Sequence, residues 1–193
     1  LTAWSALITL GKLESGQKVL VQGSGGVSVC ALQIARAQGA HVLATSRSDE
    51  KRKKLESLGA EYTINYTETK NWGKWARTIG DGQGVDHVIE VGGEHTLGES
   101  LQAVKPGAHI SIIGVLSGTM AHIELLPILM RQICVQGVFV GHREGFTAMN
   151  AFLAHHHIKP VVGKTFSFDE VPAAFNEFQT SSHFGKICVR VTD

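Results

Sequence analysis

Short runs rich in β-branched residues alternate with helix-period stretches along most of this chain, and that alternation constrains the fold more than any other feature. Runs at 18–22, 41–45, 62–65, 85–91, 108–114 and 134–140 read as strands. Between them, 27–38, 49–58, 71–79, 95–103 and 125–133 read as helices. Gly39 ends the first of these, Ser48 caps the second before Gly59 closes it, and Pro127 predicts a late or broken start to the last. Strand–helix alternation of this kind requires a parallel sheet covered on both faces. With right-handed crossovers, six strands predict an α/β doubly wound sheet in the order 3-2-1-4-5-6.

After Val140 the rhythm changes. A helix at 144–155, a strand at 164–168, a helix at 169–180 with Pro172 in its first turn, and a strand at 186–191 add nothing to a complete sheet. Residues 1–142 are therefore expected to form one domain, with 1–14 as lead-in helix and linker, and 143–193 to belong to a different structural unit. A length of 193 residues suits one large domain or one domain with an appended piece. The chain opens on Leu1 rather than Met, and we expect it to be an excised or processed piece of something longer.

A net charge of +1 gives no reason to expect nucleic acid or an anionic membrane as partner, and the basic run Lys51–Lys54 reads as a solvated helix face. No apolar run approaches the roughly 20 residues needed to span a bilayer, and the start lacks a signal-peptide pattern. Cys30, Cys134 and Cys188 are odd in number and far apart, which fits reduced thiols in a cytoplasmic protein and no zinc site.

The sharpest local signal is Gly23-Ser24-Gly25-Gly26-Val27-Ser28, directly after the first strand and opening the first helix. Glycine permits the tight turn and lets a pyrophosphate approach the amides, while the helix N-terminus supplies unpaired N–H groups. This is the fingerprint of a Rossmann dinucleotide-binding fold, with Ser28 standing where its third glycine usually falls. An NAD site usually carries an acid about 20 residues on, bonded to the ribose 2′-hydroxyl. Here the second strand ends Ser46-Arg47-Ser48, and Asp49 and Glu50 fall in a first helical turn as dipole partners. Arg47 is thus either a ligand for the 2′-phosphate of NADP(H) or an ordinary surface residue.

The chain resembles the cofactor-binding portion of the medium-chain dehydrogenase/reductase superfamily, on its zinc-type alcohol dehydrogenase and quinone oxidoreductase side. The resemblance runs nearly end to end. It is carried by Leu1-Thr2-Ala3-Trp4, the glycine turn, and Leu58-Gly59-Ala60 leading to Ile64-Asn65-Tyr66. It continues through Gly84-Val85-Asp86-His87-Val88, Val91-Gly92-Gly93, Pro106-Gly107-Ala108 and Phe184-Gly185-Lys186-Ile187. The resemblance implies NADP(H) as cofactor, with NAD(H) weaker, and assigns Gly23, Ser24, Gly25, Gly26 and Val27 to the pyrophosphate turn. Ser46, Arg47, Lys51 and Tyr66 would grip the adenosine ribose phosphate. Gly92, Gly114 and Val115, with Val140 and Gly141, would border the ribose and nicotinamide, and Lys186 would reach the cofactor from the returning segment.

The same resemblance implies that an N-terminal catalytic domain, holding any zinc ligands and proton relay, lies outside this sequence, and that 143–193 is its C-terminal return. No catalytic residue is expected in the chain itself, and no metal ligand. Apolar Phe166, Phe168, Phe175 and Phe178 would then be uncovered, and the edge strand 134–140 would favour a homodimer or larger assembly.

Two other patterns are set aside. Tyr66-x-x-x-Lys70 spells the catalytic pair of short-chain dehydrogenases but follows the third strand, on the adenine side. His155-His156-His157 splays around a helix end and cannot converge on one ion. The reading is the cofactor domain of an oxidoreductase moving hydride between nicotinamide and a carbonyl, alcohol or enone of a small-molecule substrate. The alternatives are a stand-alone dinucleotide-binding module for redox sensing or assembly and, more weakly, methyl transfer from S-adenosylmethionine, which the basic end of the second strand disfavours.

Overall fold

The structure, a computed structural model, describes residues 1–180 and 182–192; Ser181 and Asp193, which fall in the unit expected over 143–193, lie outside the described residues. The alternating elements are β1 (Lys18–Gln22), α2 (Gly26–Ala37), β2 (His41–Ser46), α3 (Asp49–Ser57) and β3 (Tyr62–Asn65). There follow α4 (Trp72–Ile79), β4 (Val85–Glu90), α5 (Leu97–Ala103), β5 (Val104–Ile112), α6 (Leu126–Arg131) and β6 (Cys134–Gly137). The six strands run parallel in the order β3-β2-β1-β4-β5-β6, as the alternation predicts. Lys18 to Gln22 pair with His41 to Thr45 on one side of β1, and Val19 to Val21 with His87 to Ile89 on the other.

Side chains alternate across each strand, so every strand feeds two cores. Val19, Val21, Val42 and Ala44 pack with Leu32, Ile34 and Leu55 on one face. Leu20, Leu43, Val88 and Ile110 pack with Trp72 and Leu101 on the other. Leu32 is fully buried on α2, and truncating it to Ala removes packing worth about 2–5 kcal/mol. Helix α3 starts as expected: Ser48 Oγ accepts from Lys51 N at 3.4 Å, while Asp49 and Glu50 pair with Arg52 and Lys54 on the same helix.

The boundaries depart from the sequence reading where tertiary pairing overrides local signals. Strand β5 begins at Val104, not 108, because Val104 pairs with Val85 before the register shifts and His109 takes His87. The bulge between absorbs Pro106 and Gly107, the latter at φ +74°. Strand β6 stops at Gly137 rather than 140. Val138 N still donates to Ile112 O, but no strand lies beyond β6; Phe139 is 97% exposed and Val140 is left-handed at φ +52°. The lead-in helix α1 (Thr2–Trp4) continues as a π-helical turn over Ser5–Leu10.

Beyond the sheet come α7 (Arg143–His155), β7 (Val162–Ser167), a 3₁₀ turn (Phe168–Glu170), α8 (Val171–Gln179) and β8 (Lys186–Arg190). Strands β7 and β8 pair in parallel as a separate two-stranded sheet. His155 is the last residue of α7, His156 follows as its cap, and His157 turns away at φ +54°. Phe168, Phe175 and Phe178 are exposed as expected. Phe166 is not: it is only 6% exposed, with the Lys164 ammonium 4.6 Å from its ring centroid. Its neighbours on β7 point outward and it points inward, an alternation that an isolated reading of four phenylalanines overlooks.

Candidate functional site

The parallel sheet reverses direction of growth between β1 and β4, and the chain's most distinctive turn leaves the sheet there. After buried Gln22, Gly23 takes φ +73° and its N–H donates to Thr45 O at 2.8 Å, fixing the turn to β2. Gly25 is the N-cap of α2 in extended conformation, and no side chain caps it. The amides of the first turn of α2 therefore face outward with the positive end of the helix dipole. A Cβ on Gly23 or Gly25 would meet nothing within 4 Å, so the approach to these amides is open. Ser28, in the third fingerprint position, is buried, and its hydroxyl donates to Gln22 O at 2.6 Å. It keeps the helix close to the strand by a bond rather than by having no side chain.

Lys186 completes this corner from the far end of the chain. A Cβ on Gly26 would come within 2.7 Å of Lys186 Cε and 3.0 Å of its Nζ. The ammonium is thus stretched over the N-terminus of α2. Its segment is held there by Gly185 N, which donates to Ser24 O at 2.9 Å, and by Lys186 N, which donates to Val161 O. Lys186, which the resemblance brings toward the cofactor from the returning segment, thus sits beside Gly26 at the start of α2.

The adenosine-side candidates also converge. Ser46 is buried at the end of β2 and its carbonyl accepts from Tyr66 N at 3.0 Å, which joins the ends of β2 and β3. Arg47 is exposed and donates to Thr180 O, just past α8, at 3.2 Å. Lys51 lies one turn into α3, near enough to Arg47 that burial first, and the Arg47 charge second, push its ammonium pKa below the usual lysine range. No acid stands at the end of β2.

On the other side of the turn, Ile113 N and Gly114 N donate to Glu90 O, and Ser117 N to Gly92 O. Gly93 bridges to Gly118, so Gly92, Gly114 and Val115 belong to one pair of tied loops at the ends of β4 and β5. Val140 and Gly141 lie past β6, where a Cβ on Gly141 would strike Ser5 and Leu1. Tyr66 and Lys70 follow β3 at the opposite end of the strand order.

Sequence reasoning missed three residues. Glu90, wholly buried at the end of β4, accepts from Gly92 N and Gly93 N. Gln22 donates to it from β1 at 2.8 Å. His183 stacks on Phe178, and burial, then Lys51, lower its pKa. An acid set between the apolar pair Val88-Ile89 and the Val91-Gly92-Gly93 turn was the available signal for Glu90; nothing local marks the other two. Two hollows, of about 440 and 320 Å³, lie at the opposite, N-terminal ends of the strands among Gln17, Asp86 and Lys105, and contain none of these residues.

Among the described residues no three His, Cys, Asp or Glu are grouped so as to hold a metal ion, and no helix is long and apolar enough to cross a membrane. A zinc-type alcohol dehydrogenase-like protein of Schizosaccharomyces pombe is 40% identical over 98% of this chain and 57% of its own length. Quinone oxidoreductase of Pongo abelii is 31% identical over 90% of this chain and 54% of its own. The crystal structure of an NAD-dependent alcohol dehydrogenase, 30% identical, superimposes on 100% of this chain and 56% of that one with a TM-score of 0.93. The chain thus spans a little over half the length of these relatives. Residues 26–155, from the first helix after the glycine turn to the end of α7, match the zinc-binding dehydrogenases, and the chain belongs to that family.

Proposed function

We propose that this chain is the NADP(H)-binding portion of an oxidoreductase that moves hydride between nicotinamide and a carbonyl, alcohol or enone carbon. One observation carries the reading: the uncapped N-terminus of α2, open at Gly23 and Gly25, with the Lys186 ammonium over Gly26. Amide donors and a cation converge there as a pyrophosphate requires. Arg47 and Lys51 extend the positive charge toward the 2′-phosphate, and the missing acid at the end of β2 favours NADP(H) over NAD(H). A relative named as NAD-dependent is compatible with this, because the end of the second strand decides the choice and varies independently of the fold. The bound nicotinamide supplies the hydride chemistry; the chain's own residues bind and orient it. Residues 143–193 are read as the return of a catalytic domain that also contributes the substrate pocket. The zinc that the family name implies finds no ligand set among the described residues.

The test is direct. NADPH and NADH are each titrated by nicotinamide fluorescence into the chain and into Gly26→Val, which drives a branched side chain into Lys186. We expect wild-type binding and its loss in the variant. With carbonyls, enones and quinones the chain alone should show no turnover. Failure of both reduced dinucleotides to bind refutes the cofactor reading. Sustained turnover that Gly26→Val abolishes refutes the placement of the catalytic groups outside the chain.

A further inference from the structure

Among the described residues Glu90 is the only acid in the set of largest fully buried side chains, at 0% exposure. Five donors surround its carboxylate. Oε1 accepts from Gly92 N at 2.8 Å, Gly93 N at 3.0 Å and Thr96 Oγ1 at 2.5 Å. Oε2 accepts from Gln22 Nε2 at 2.8 Å and Ser100 Oγ at 2.5 Å. Gln22 is held in turn: its Oε1 accepts from Val91 N at 3.1 Å and its Nε2 also donates to Ser100 Oγ at 2.8 Å. One carboxylate therefore gathers the last residue of β1, the loop leaving β4, and the N-cap and first turn of α5. The residues it joins lie directly before the pyrophosphate turn and directly at the loop expected to border the nicotinamide.

No cation pairs with Glu90 among the described residues. An acid in so dry a place is costly, and its neutral donors alone offset that cost. An apolar residue would fill the same space without it, so cohesion of the core does not explain the choice. The site's geometry does. Gly93 has φ +89°, and a Cβ on Gly92 would collide with Thr96. This loop is tightly folded back, and Glu90 is the acceptor for both of its glycine N–H groups.

The two sides of the crevice do not depend on Glu90 equally. The pyrophosphate turn has other anchors, Gly23 N on Thr45 O, Ser28 Oγ on Gln22 O and Gly185 N on Ser24 O. At the loop of Gly92 and Gly93 the carbonyls have other partners, Ser117 N on Gly92 O and Leu97 N on Gly93 O, whereas the two buried glycine N–H groups both donate to Glu90. Resting on the dinucleotide reading above, we infer that Glu90 is a positioning residue for the nicotinamide half of the cofactor, setting the β4 loop against the pyrophosphate turn. Glu90→Gln keeps the shape and removes one acceptor. Either orientation of the new amide sets an NH₂ against donors: the Gly92 and Gly93 N–H groups on one side, Gln22 Nε2 on the other.

The experiment compares adenosine 2′,5′-bisphosphate, which lacks the nicotinamide half, with NADPH. Calorimetric affinities for both, nicotinamide emission at saturating NADPH, and thermal midpoints are measured for wild type, Glu90→Gln and Thr96→Val. The last deletes one donor to Glu90 while leaving the carboxyl group itself in place and serves if Glu90→Gln does not fold. All titrations are run well below each midpoint. We expect Glu90→Gln to weaken NADPH about tenfold, leave adenosine 2′,5′-bisphosphate within about twofold, and lower the emission of bound NADPH. Thr96→Val should act in the same direction by about threefold. A merely structural role would lower the midpoint and leave the ratio of the two affinities unchanged. An unchanged ratio in both variants, or NADPH binding no tighter than the bisphosphate in wild type, overturns the inference. Wild type that binds neither ligand refutes instead the dinucleotide reading on which it rests.

Discussion

Replacing Arg47 by Asp should reverse the cofactor preference of this chain, and the magnitude follows from what surrounds the guanidinium. A 2′-phosphate brings close to two negative charges, and a hydrogen bond to a charged group contributes about 1.5–3 kcal/mol. Two features of the structure reduce this. Arg47 is exposed, so water and salt screen the interaction, which brings it to roughly 1–2 kcal/mol. Its guanidinium also donates to Thr180 O, and turning to a phosphate gives up a bond worth about 1 kcal/mol at most. Lys51, whose positive charge is disfavoured by burial and by Arg47, gains from an anion placed between them and partly restores the balance. The net preference for NADPH over NADH should be about five- to tenfold, at about 1.4 kcal/mol per decade. It should shrink as salt rises, since the Debye length is about 10 Å at 0.1 M. In Arg47→Asp a carboxylate repels the phosphate and can accept from a ribose hydroxyl, so NADH should become the better ligand. Both reduced cofactors are titrated by nicotinamide fluorescence at low and high salt. Equal wild-type affinities, or a variant that still favours NADPH, would refute the assignment and leave Arg47 as a tether for the α8–β8 connection.

Two further outcomes follow from the sheet itself. Burial, with a smaller contribution from His109, lowers the pKa of His87 to about 4, while an unfolded chain titrates near the ordinary 6.5. The unfolded state therefore takes up the proton first as pH falls. The stabilisation that neutral His87 provides is complete above about pH 6.5 and is lost toward pH 4, a loss of about 3 kcal/mol at 1.36 kcal/mol per unit. Urea melts at pH 7 and 4.5 should show this slope in wild type and a flatter one in His87→Gln; parallel slopes would remove His87 as its source. Strand β6 lies at the sheet edge beside exposed Leu126, Leu129, Met130 and Phe139, and we expect a homodimer or larger assembly. A monodisperse monomer by light scattering at high micromolar concentration would contradict this.

What could be read from the sequence was what each residue says about its near neighbours. The βα alternation, the cap at Ser48 and the glycine turn are all local, and the structure places them as read; the missing acid after Ser46 is local too. The boundaries of β5 and β6 were not legible, because a bulge against Val85 and the lack of a neighbour past β6 are properties of pairing, not of propensity. The same limit applies to the site. Gln22 and Glu90 are 68 residues apart, and nothing in either sequence neighbourhood names the other. Lys186 lies 160 positions beyond Gly26, and only the family resemblance hinted that they meet. The distinction has a physical basis. Groups that bind phosphate work through backbone amides and helix ends, which a turn signature specifies by itself. Groups that hold the two halves of a crevice in register must come from elements that are remote in sequence, because the crevice exists only where those elements meet. An acid between an apolar pair, Val88-Ile89, and a glycine turn is one of the few local marks such a group leaves: the strand gives up apolar burial at Glu90 for a contact that only the folded sheet supplies.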